Sequence, residues 1–575
     1  MLYKNTLQNA LQNTPKIRNL IEVIDNFFEE NYPDFTNGST APHPIAIPKD
    51  SKIIRDVIWG INRFEWFEMA VIDSPILQRL RYLHQIGFGT YVYPGGGHTR
   101  FDHSMGASIV ASKIFDNLLS RQRETFELIV RAVNNSIGKK ERVEQESMIQ
   151  KSIAELRQEV RLAALLHDSG HTLFSHTSEP VLSEIKLLTE ARDELAFLSG
   201  KTREPGEVLS FCISQSKFLK SLLKRYKERI AENPRLHYTG FLADLENVSL
   251  MIIGRTKDPF TQFLADIISS GFDADKLDYL MRDGRSTGLP VGYDIERYLQ
   301  FVEVKQSSEP LIESGSETYI KWLDYQRRIK GNQLEEYRLN IPLTSMEEII
   351  IGKFMLFSYI YHQSKIRSVD SYLEWILKEE IRQLKSKNEK DEDIVKWLLG
   401  TTDSVFMALP TLSKLFSRNK YYSQNLINCA YRISTRTLPR EVFAISGSAG
   451  THANASMIKD FMKKLKNQDE KKRTLKKIED KLNNALKGKD VKFWIDAPKF
   501  PGFEGITDIT GGANLADVFP IKDWMELYLE YTYRFRIFTF SEYIEDVKEA
   551  VGEVMPAILK VSREEVDNLL RKRVN

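Results

Sequence analysis

Three of the chain's ten histidines fall within ten consecutive residues, His167, His171 and His176. The first of them stands beside Asp168, directly after the apolar run from Val160 to Leu166. Burying an imidazole and a carboxylate without partners costs several kcal/mol. A metal ion removes that cost, because both groups then become ligands. His171 lies four residues beyond His167, one helical turn along the same face if the helix continues. A non-ligand imidazole there suits proton transfer or contact with phosphate.

Two further segments carry charge that such a centre can use. Upstream, Arg100 precedes His103 by one turn in the segment 100–106. Downstream, the segment 273–283 is dense in acids and bases. At about 100° per residue, Asp275, Lys276, Tyr279 and Asp283 share one stripe of a helix. A metal, a phosphate and a sugar or base all find partners among those groups. The plainer alternative is a solvated helix with ion pairs such as Asp278–Arg282 at i,i+4.

Taken together the pieces read H…HD…D, and in that order the sequence resembles the HD-domain superfamily. Within it, the likeness is to the branch of deoxynucleoside triphosphate (dNTP) triphosphohydrolases that includes the SAM-and-HD-domain enzymes. It rests on the segments 73–87, 93–106, 167–176 and 273–279, is strong over about 51–180 and 265–300, and is faint elsewhere. No SAM-like module is read at the N-terminus.

The resemblance implies His103, His167, Asp168 and Asp275 as ligands of one divalent transition metal: iron, manganese, zinc or nickel. It implies Mg²⁺ arriving with the nucleotide, polarisation of the α-phosphate by the resident ion, and release of intact triphosphate from a deoxynucleoside. Arg100, Lys276 and Lys353 match triphosphate-contacting positions, Gln85 and Asp283 the readers of the sugar 3′-hydroxyl, and Tyr279 and Tyr361 the groups near sugar and base. His171 and His176 match catalytic positions. Lys52, Asp73, Gln78 and Arg81 match positions that bind an allosteric guanine nucleotide or dNTP effector between subunits, which implies a homo-oligomer, a dimer or tetramer. Asp73-Ser74-Pro75 also reads as a helix start with a capping side chain.

One departure stands out. Where that branch carries a second catalytic histidine in a Thr-His-Glu-x-Gly segment, this chain has Thr202-Arg203-Glu204-Pro205-Gly206. Arginine stays protonated and is no ordinary proton shuttle. It can still stabilise phosphate charge, so Arg203 is retained among the catalytic candidates. Two other readings stand beside the dNTP triphosphohydrolase: an HD phosphohydrolase acting on another nucleotide, and a nucleotide-binding sensor or scaffold with weak catalysis.

The elements that must hold these residues are mostly helices. The expected fold is mainly α, an HD-domain helical core with a smaller mixed α/β C-terminal lobe. The division expected is 1–50 as an N-terminal accessory segment, 51–380 as the HD domain, dominated by amphipathic helices, and 381–575 as the C-terminal lobe. Polar stretches at 134–150 and 306–318 read as surface excursions, and Phe354 to Tyr361 as a buried helix. The lysine-rich stretch 463–487, with Leu475, Ile478, Leu482 and Leu486 on one stripe, reads as a solvated amphipathic helix. Short strands are expected from Lys492 and over Tyr533 to Phe540, flanking a glycine-rich stretch at 502–512.

Bulk properties narrow the function classes. The chain has 575 residues, 42% hydrophobic and 28% charged, with a formal net charge of +2. That balance is globular and gives no global pull toward nucleic acid or membrane. Two distant cysteines, Cys212 and Cys429, exclude a thiolate zinc site and suit a reducing cytoplasm. No signal peptide and no membrane-length apolar run is read.

Overall fold

The structure is a computed structural model that describes residues 14–36, 51–136, 146–231, 240–307, 336–341, 343–412, 420–446, 455–498, 520, 523–524, 527 and 532–571. The glycine-rich 502–512 stretch and most of the two polar excursions lie outside the described residues. The fold is mainly α, with short strands gathered in three small sheets.

Helix α1 (Pro15–Asn31) carries Ile17, Leu20, Ile24 and Phe28 at helical spacing and buries them in the main core, where Phe28 stacks on Phe218 at 4.6 Å. The hairpin β1 (Ser51–Asp56) and β2 (Gly60–Glu65) comes next. Its outer side chains Ile53, Val57 and Ile61 are exposed, so no buried alternation marks it in the sequence. Three helices then build the floor of the core: α2 (Arg100–Arg121), α3 (Glu146–Leu166) and α4 (Pro205–Gln215). Helix α5 (Ala274–Thr287) crosses α2 and completes it. A second hairpin, Glu303–Ser307 with Glu336–Asn340, precedes α6 (Leu343–Leu356). Neither hairpin was foreseen in the helix-dominated segment 51–380.

Helix α6 runs into a π-helical turn over Phe357–Tyr361. Only Leu356 and Ile360 are fully buried there, and Tyr359 is exposed, so this segment is a wall and not the buried helix expected. Such a turn widens the helix by one residue and rotates the chain beyond it.

Beyond α7 (Ser364–Ser386), a three-stranded antiparallel sheet has Phe535–Thr539 at its centre, flanked by Arg440–Ile445 and Phe493–Asp496. Two of these strands fall where the sequence indicated them; Arg440–Ile445 was not foreseen. Helices Gln468–Ala485 and Ile544–Leu559 pack against the sheet and form a second apolar cluster with Phe443, Phe535 and Ile537. The stripe of Ile478, Leu482 and Leu486 faces this cluster, and the lysines face outward. Among the described residues no helix is long and apolar enough to cross a membrane.

Candidate metal centre

Helix α2 opens on a reciprocal cap. Asp102 accepts from the Thr99 N–H at 2.8 Å, and Thr99 accepts from the Asp102 N–H. The cap fixes the first turn, which carries Arg100 and the fully buried His103.

Helix α3 ends at Leu166, so His167 to Gly170 form a turn and His171 does not continue the helical face. The expectation of a shared helical face is corrected accordingly. Arg79, buried and absent from the sequence-based candidates, clamps this turn by donating to the carbonyls of Ser169 (2.7 Å) and His171 (2.6 Å). Burial lowers its pKa to about 10. Gly170 is needed for close approach: a Cβ there would sit 2.3 Å from the Gly206 carbonyl oxygen on α4. Phe174 and Ser175 come after it with φ of 50° and 55°, in the left-handed region that costs non-glycine residues of order 1 kcal/mol or more. That reversal carries His176 back to Arg100, Nε2 to Nη2 3.4 Å.

His103, His167 and Asp168 bring ligand atoms within 4.8 Å of one another, and Asp275, the fourth expected ligand, stands beside both histidines. His103 Nε2 lies 3.0 Å from Asp275 Oδ1 and 3.6 Å from Asp168 Oδ2. His167 Nε2 lies 3.5 Å from Asp168 Oδ1 and 3.6 Å from Asp275 Oδ1. Atoms each about 2.1 Å from one ion stand about 3.0–3.4 Å from one another; one of these contacts falls in that range and the other three lie just outside it. The ring nitrogens fit as well. His103 Nδ1 lies 2.8 Å from Asp278 Oδ2, and His167 Nδ1 lies 2.7 Å from the Ala164 carbonyl oxygen. Each Nδ1 therefore carries the hydrogen and leaves an Nε2 lone pair facing the centre. Both Nε2 atoms are buried without a hydrogen-bond partner among the described residues.

The electrostatics ask for positive charge. Burial disfavours protonated His103, yet Asp275, Asp278 and Asp168 outweigh it and raise its pKa to about 10. His167 is also raised, Asp168 and Asp275 outweighing its burial. Burial favours the neutral forms of Asp168 and Asp275, but surrounding cations hold both well below the usual carboxylate range. A divalent ion supplies that charge in place of two protons.

Beside this cluster, His171 Nδ1 lies 3.2 Å from Asp168 Oδ1 and its Nε2 3.6 Å from Glu179. Burial and then Arg100 lower the His171 pKa, so the ring stays neutral near pH 7. Burial pushes Glu179 up to about 8, with Glu204 adding to it. His171, His176 and Glu179 also cluster closely enough to hold an ion. Arg100 sits among them, with Nη1 2.5 Å from Asp168 and Nε 2.9 Å from Ser175 Oγ, and its fixed charge opposes a second cation.

On the other side of Asp275, Lys276 and Tyr279 line one recess with Lys353, Phe272 and Ile349. Lys276 donates to Asp273 at 2.8 Å. The Asp283 carboxylate accepts from the Tyr361 hydroxyl at 2.6 Å and lies 2.7 Å from His98 Nε2. Gln85 is buried, and its backbone N–H donates to the His98 carbonyl at 3.1 Å. Its Oε1 lacks a hydrogen-bond partner among the described residues. Burial and then neighbouring carboxylates hold Tyr279 and Tyr361 well above the ordinary phenol range.

The four effector candidates lie near the first hairpin. Burial raises the Asp73 pKa, and the charges of Lys52 and Arg81 oppose that rise. Arg81 donates to Gln78 at 2.9 Å and lies 3.6 Å over the Phe101 ring. Asp73 does not cap the next helix: Ser74 is its N-cap residue, without a side-chain cap hydrogen bond. The helix start at Pro75 is as expected, but the capping bond is missing because the Ser74 hydroxyl donates to the Val71 carbonyl at 2.7 Å. Arg203 is engaged elsewhere, on the Ile253 carbonyl, the Ser269 hydroxyl (3.0 Å) and Glu207 (3.4 Å).

No family model matches the chain. Over 275 residues it is 29% identical to the Bos taurus protein named deoxynucleoside triphosphate triphosphohydrolase SAMHD1, covering 45% of this chain and 39% of that one. The chain resembles the HD-domain dNTP triphosphohydrolase branch. The match spans about two fifths of the length of such relatives in this branch. An uncharacterized protein of Methanocaldococcus jannaschii is 24% identical over 387 residues, 66% of this chain and 60% of that one. Among solved structures, a hypothetical protein from Aquifex aeolicus superposes with a TM-score of 0.52 at 19% identity, covering 87% of this chain and all of that one, which speaks to fold alone.

Proposed function

We propose that this chain is a metal-dependent HD-domain phosphohydrolase that converts a dNTP to a deoxynucleoside and inorganic triphosphate. The observation that carries the reading is the group of His103, His167 and Asp168, close enough to hold an ion, with Asp275 beside both imidazoles. His103, His167, Asp168 and Asp275 would hold one ion of iron, manganese, zinc or nickel, which would supply Lewis acidity at the α-phosphate.

The chain's own groups do the rest. Arg100, Lys276 and Lys353 bind the triphosphate, whose charge demands several cations. Mg²⁺ enters with the substrate. Water attacks the α-phosphorus, the bond from phosphorus to the nucleoside O5′ breaks, and O5′ takes up a proton. His176 delivers that proton and regains one from the attacking water, whose other proton leaves with the triphosphate. Neutral His171, whose ring centroid lies 5.4 Å from that of His176, orients it. Gln85 and Asp283 hold the sugar hydroxyl, and Tyr279 and Tyr361 flank the sugar and base. Lys52, Asp73, Gln78 and Arg81 bind a GTP or dNTP effector in a homo-oligomer, and the protein works in the cytoplasm.

The engagement of Arg203 by Ile253, Ser269 and Glu207 favours a second reading, a nucleotide-binding sensor with slow turnover. The test is product analysis. Purified protein is incubated with each dNTP and Mg²⁺ or Mn²⁺, with and without GTP. Intact inorganic triphosphate supports the proposal. Pyrophosphate or monophosphate indicates another phosphohydrolase, and tight binding without turnover indicates the sensor.

A further inference from the structure

The imidazole of His103 is backed by a relay of polar groups that leaves the core and ends in the surface hairpin. Its Nδ1 lies 2.8 Å from Asp278 Oδ2. Arg282, one turn later on α5, grips both oxygens of the same carboxylate, Nε to Oδ2 at 2.8 Å and Nη2 to Oδ1 at 2.9 Å. Asp278 is fully buried. Burial favours its neutral form, but Arg282 and His103 hold its pKa down at about 2.

A Cβ on Gly106 would lie 2.0 Å from Asp278 Oδ1 and 2.2 Å from Arg282 Nη2. The pair is therefore pressed against the backbone of α2, one turn past His103, with no room for another side chain.

Two groups from the turn between β1 and β2 complete the arrangement. The Trp59 indole N–H donates to Asp278 Oδ1 at 2.5 Å, and Arg282 Nη2 donates to Asp56 Oδ2 at 2.9 Å. Asp56 is itself held by the N–H groups of Ile58 (2.7 Å) and Trp59 (2.8 Å), so one side chain shapes the turn and reaches the arginine. Gly60, at φ +74°, closes the turn, and Asn62 Nδ2 donates to the carbonyls of Trp59 and Gly60 at 3.1 Å. The hydrogen bond from Trp59 spans 219 residues of sequence and adds a polar tie to the hairpin's apolar anchor, the fully buried Phe64.

We propose that Trp59 and Asp56 are positioning residues for the metal ligand His103, acting through the Asp278–Arg282 pair. The inference rests on the metal reading given above. The indole N–H occupies the Asp278 oxygen that His103 does not use. Asp56 holds the arginine that fixes the carboxylate plane. Without either of these hydrogen bonds the carboxylate can rotate, and the imidazole it orients is no longer locked with Nε2 toward Asp275 and Asp168. Outer partners of this kind set ligand orientation and basicity, and removing them costs about 10- to 100-fold in metal affinity.

The experiment uses the full chain stripped of metal and titrated with Co²⁺, monitored by the visible d–d absorption band. Trp59→Phe keeps the ring and deletes only the N–H donor. Asp56→Asn keeps the shape of the turn and removes the charge facing Arg282. Melting of the metal-free proteins reports whether each variant folds, and the second variant serves if the first does not. The expected result is about a tenfold loss of Co²⁺ affinity in each, with a shifted or weakened band and metal-free melting close to wild type. Wild-type affinity and an unchanged band in a folded variant would overturn the inference and leave the metal reading standing. If the wild type gives no Co²⁺ band that depends on His167 and Asp168, the metal reading itself fails and takes this inference with it.

Discussion

The Tyr361 hydroxyl donates to the Asp283 carboxylate at 2.6 Å across 78 residues of sequence. Asp283 comes from α5, which carries the ligand Asp275, and Tyr361 from the π-helical turn after α6. This hydrogen bond ties the π-helical turn to the helix that carries the proposed ligand Asp275. If Asp283 holds the sugar hydroxyl, Tyr361→Phe removes the hydrogen bond to one of its oxygens and leaves His98 Nε2 on the other. We expect KM for the dNTP to rise about 10-fold, in keeping with a hydrogen bond to a charged group, while kcat changes less than about threefold. Steady-state kinetics check the split.

Arg100 has the opposite signature. It contacts Asp168 and Ser175 and stands beside His176. Its charge is placed for the phosphates, so Arg100→Ala should lower kcat by about 100- to 1000-fold. Metal content, measured by elemental analysis, should stay at the wild-type level, because the four ligands remain.

Arg203 is a test of the departure noted in the sequence. Its guanidinium satisfies the Ile253 carbonyl and the Ser269 hydroxyl. Arg203→Ala should therefore lower the melting temperature by a few degrees, as loss of about 1–3 kcal/mol does in a chain of this size, with kcat within about threefold of wild type. A hundredfold loss of kcat with unchanged melting would place that side chain at the phosphates.

Stability should also fall with rising pH. Burial, with Glu155 adding to it, pushes Glu159 up to about 8 from an ordinary 4.5. A raised carboxyl pKa means the folded state binds the proton more tightly than the unfolded one. Its stabilisation is full below about 4.5 and is lost as pH rises through about 8. Glu179 acts in the same direction. Glu159→Gln should flatten part of the decline of melting temperature between about pH 5 and 8.5, leaving the parts that Glu179, Asp370 and His103 contribute.

The sequence made some of this legible and hid the rest for physical reasons. His167 and Asp168 stand out because an imidazole and an acid directly after an apolar run need a reason to be there, whereas His103 and Asp275 were singled out by the family resemblance. Asp278 and Arg282 were visible only as an i,i+4 pair, which is ordinary on a solvated helix. Their significance comes from burial and from Trp59, far away in the chain. Arg79 could not be singled out, since it acts on backbone carbonyls that carry no sequence signature. The end of α3 at Leu166 and the left-handed Phe174 and Ser175 defeat helical counting from His167 to His176. The first hairpin escapes a pattern search because its outer face keeps Ile53, Val57 and Ile61 exposed.

The central claim is that four side chains from three separate segments share one ion. The direct measurement is elemental analysis of the purified full chain, beside a folded His167→Ala/Asp168→Ala double variant. One transition-metal ion per chain in the wild type and none in the variant is the predicted result. No ion in the wild type, or the same stoichiometry in both, would contradict the account.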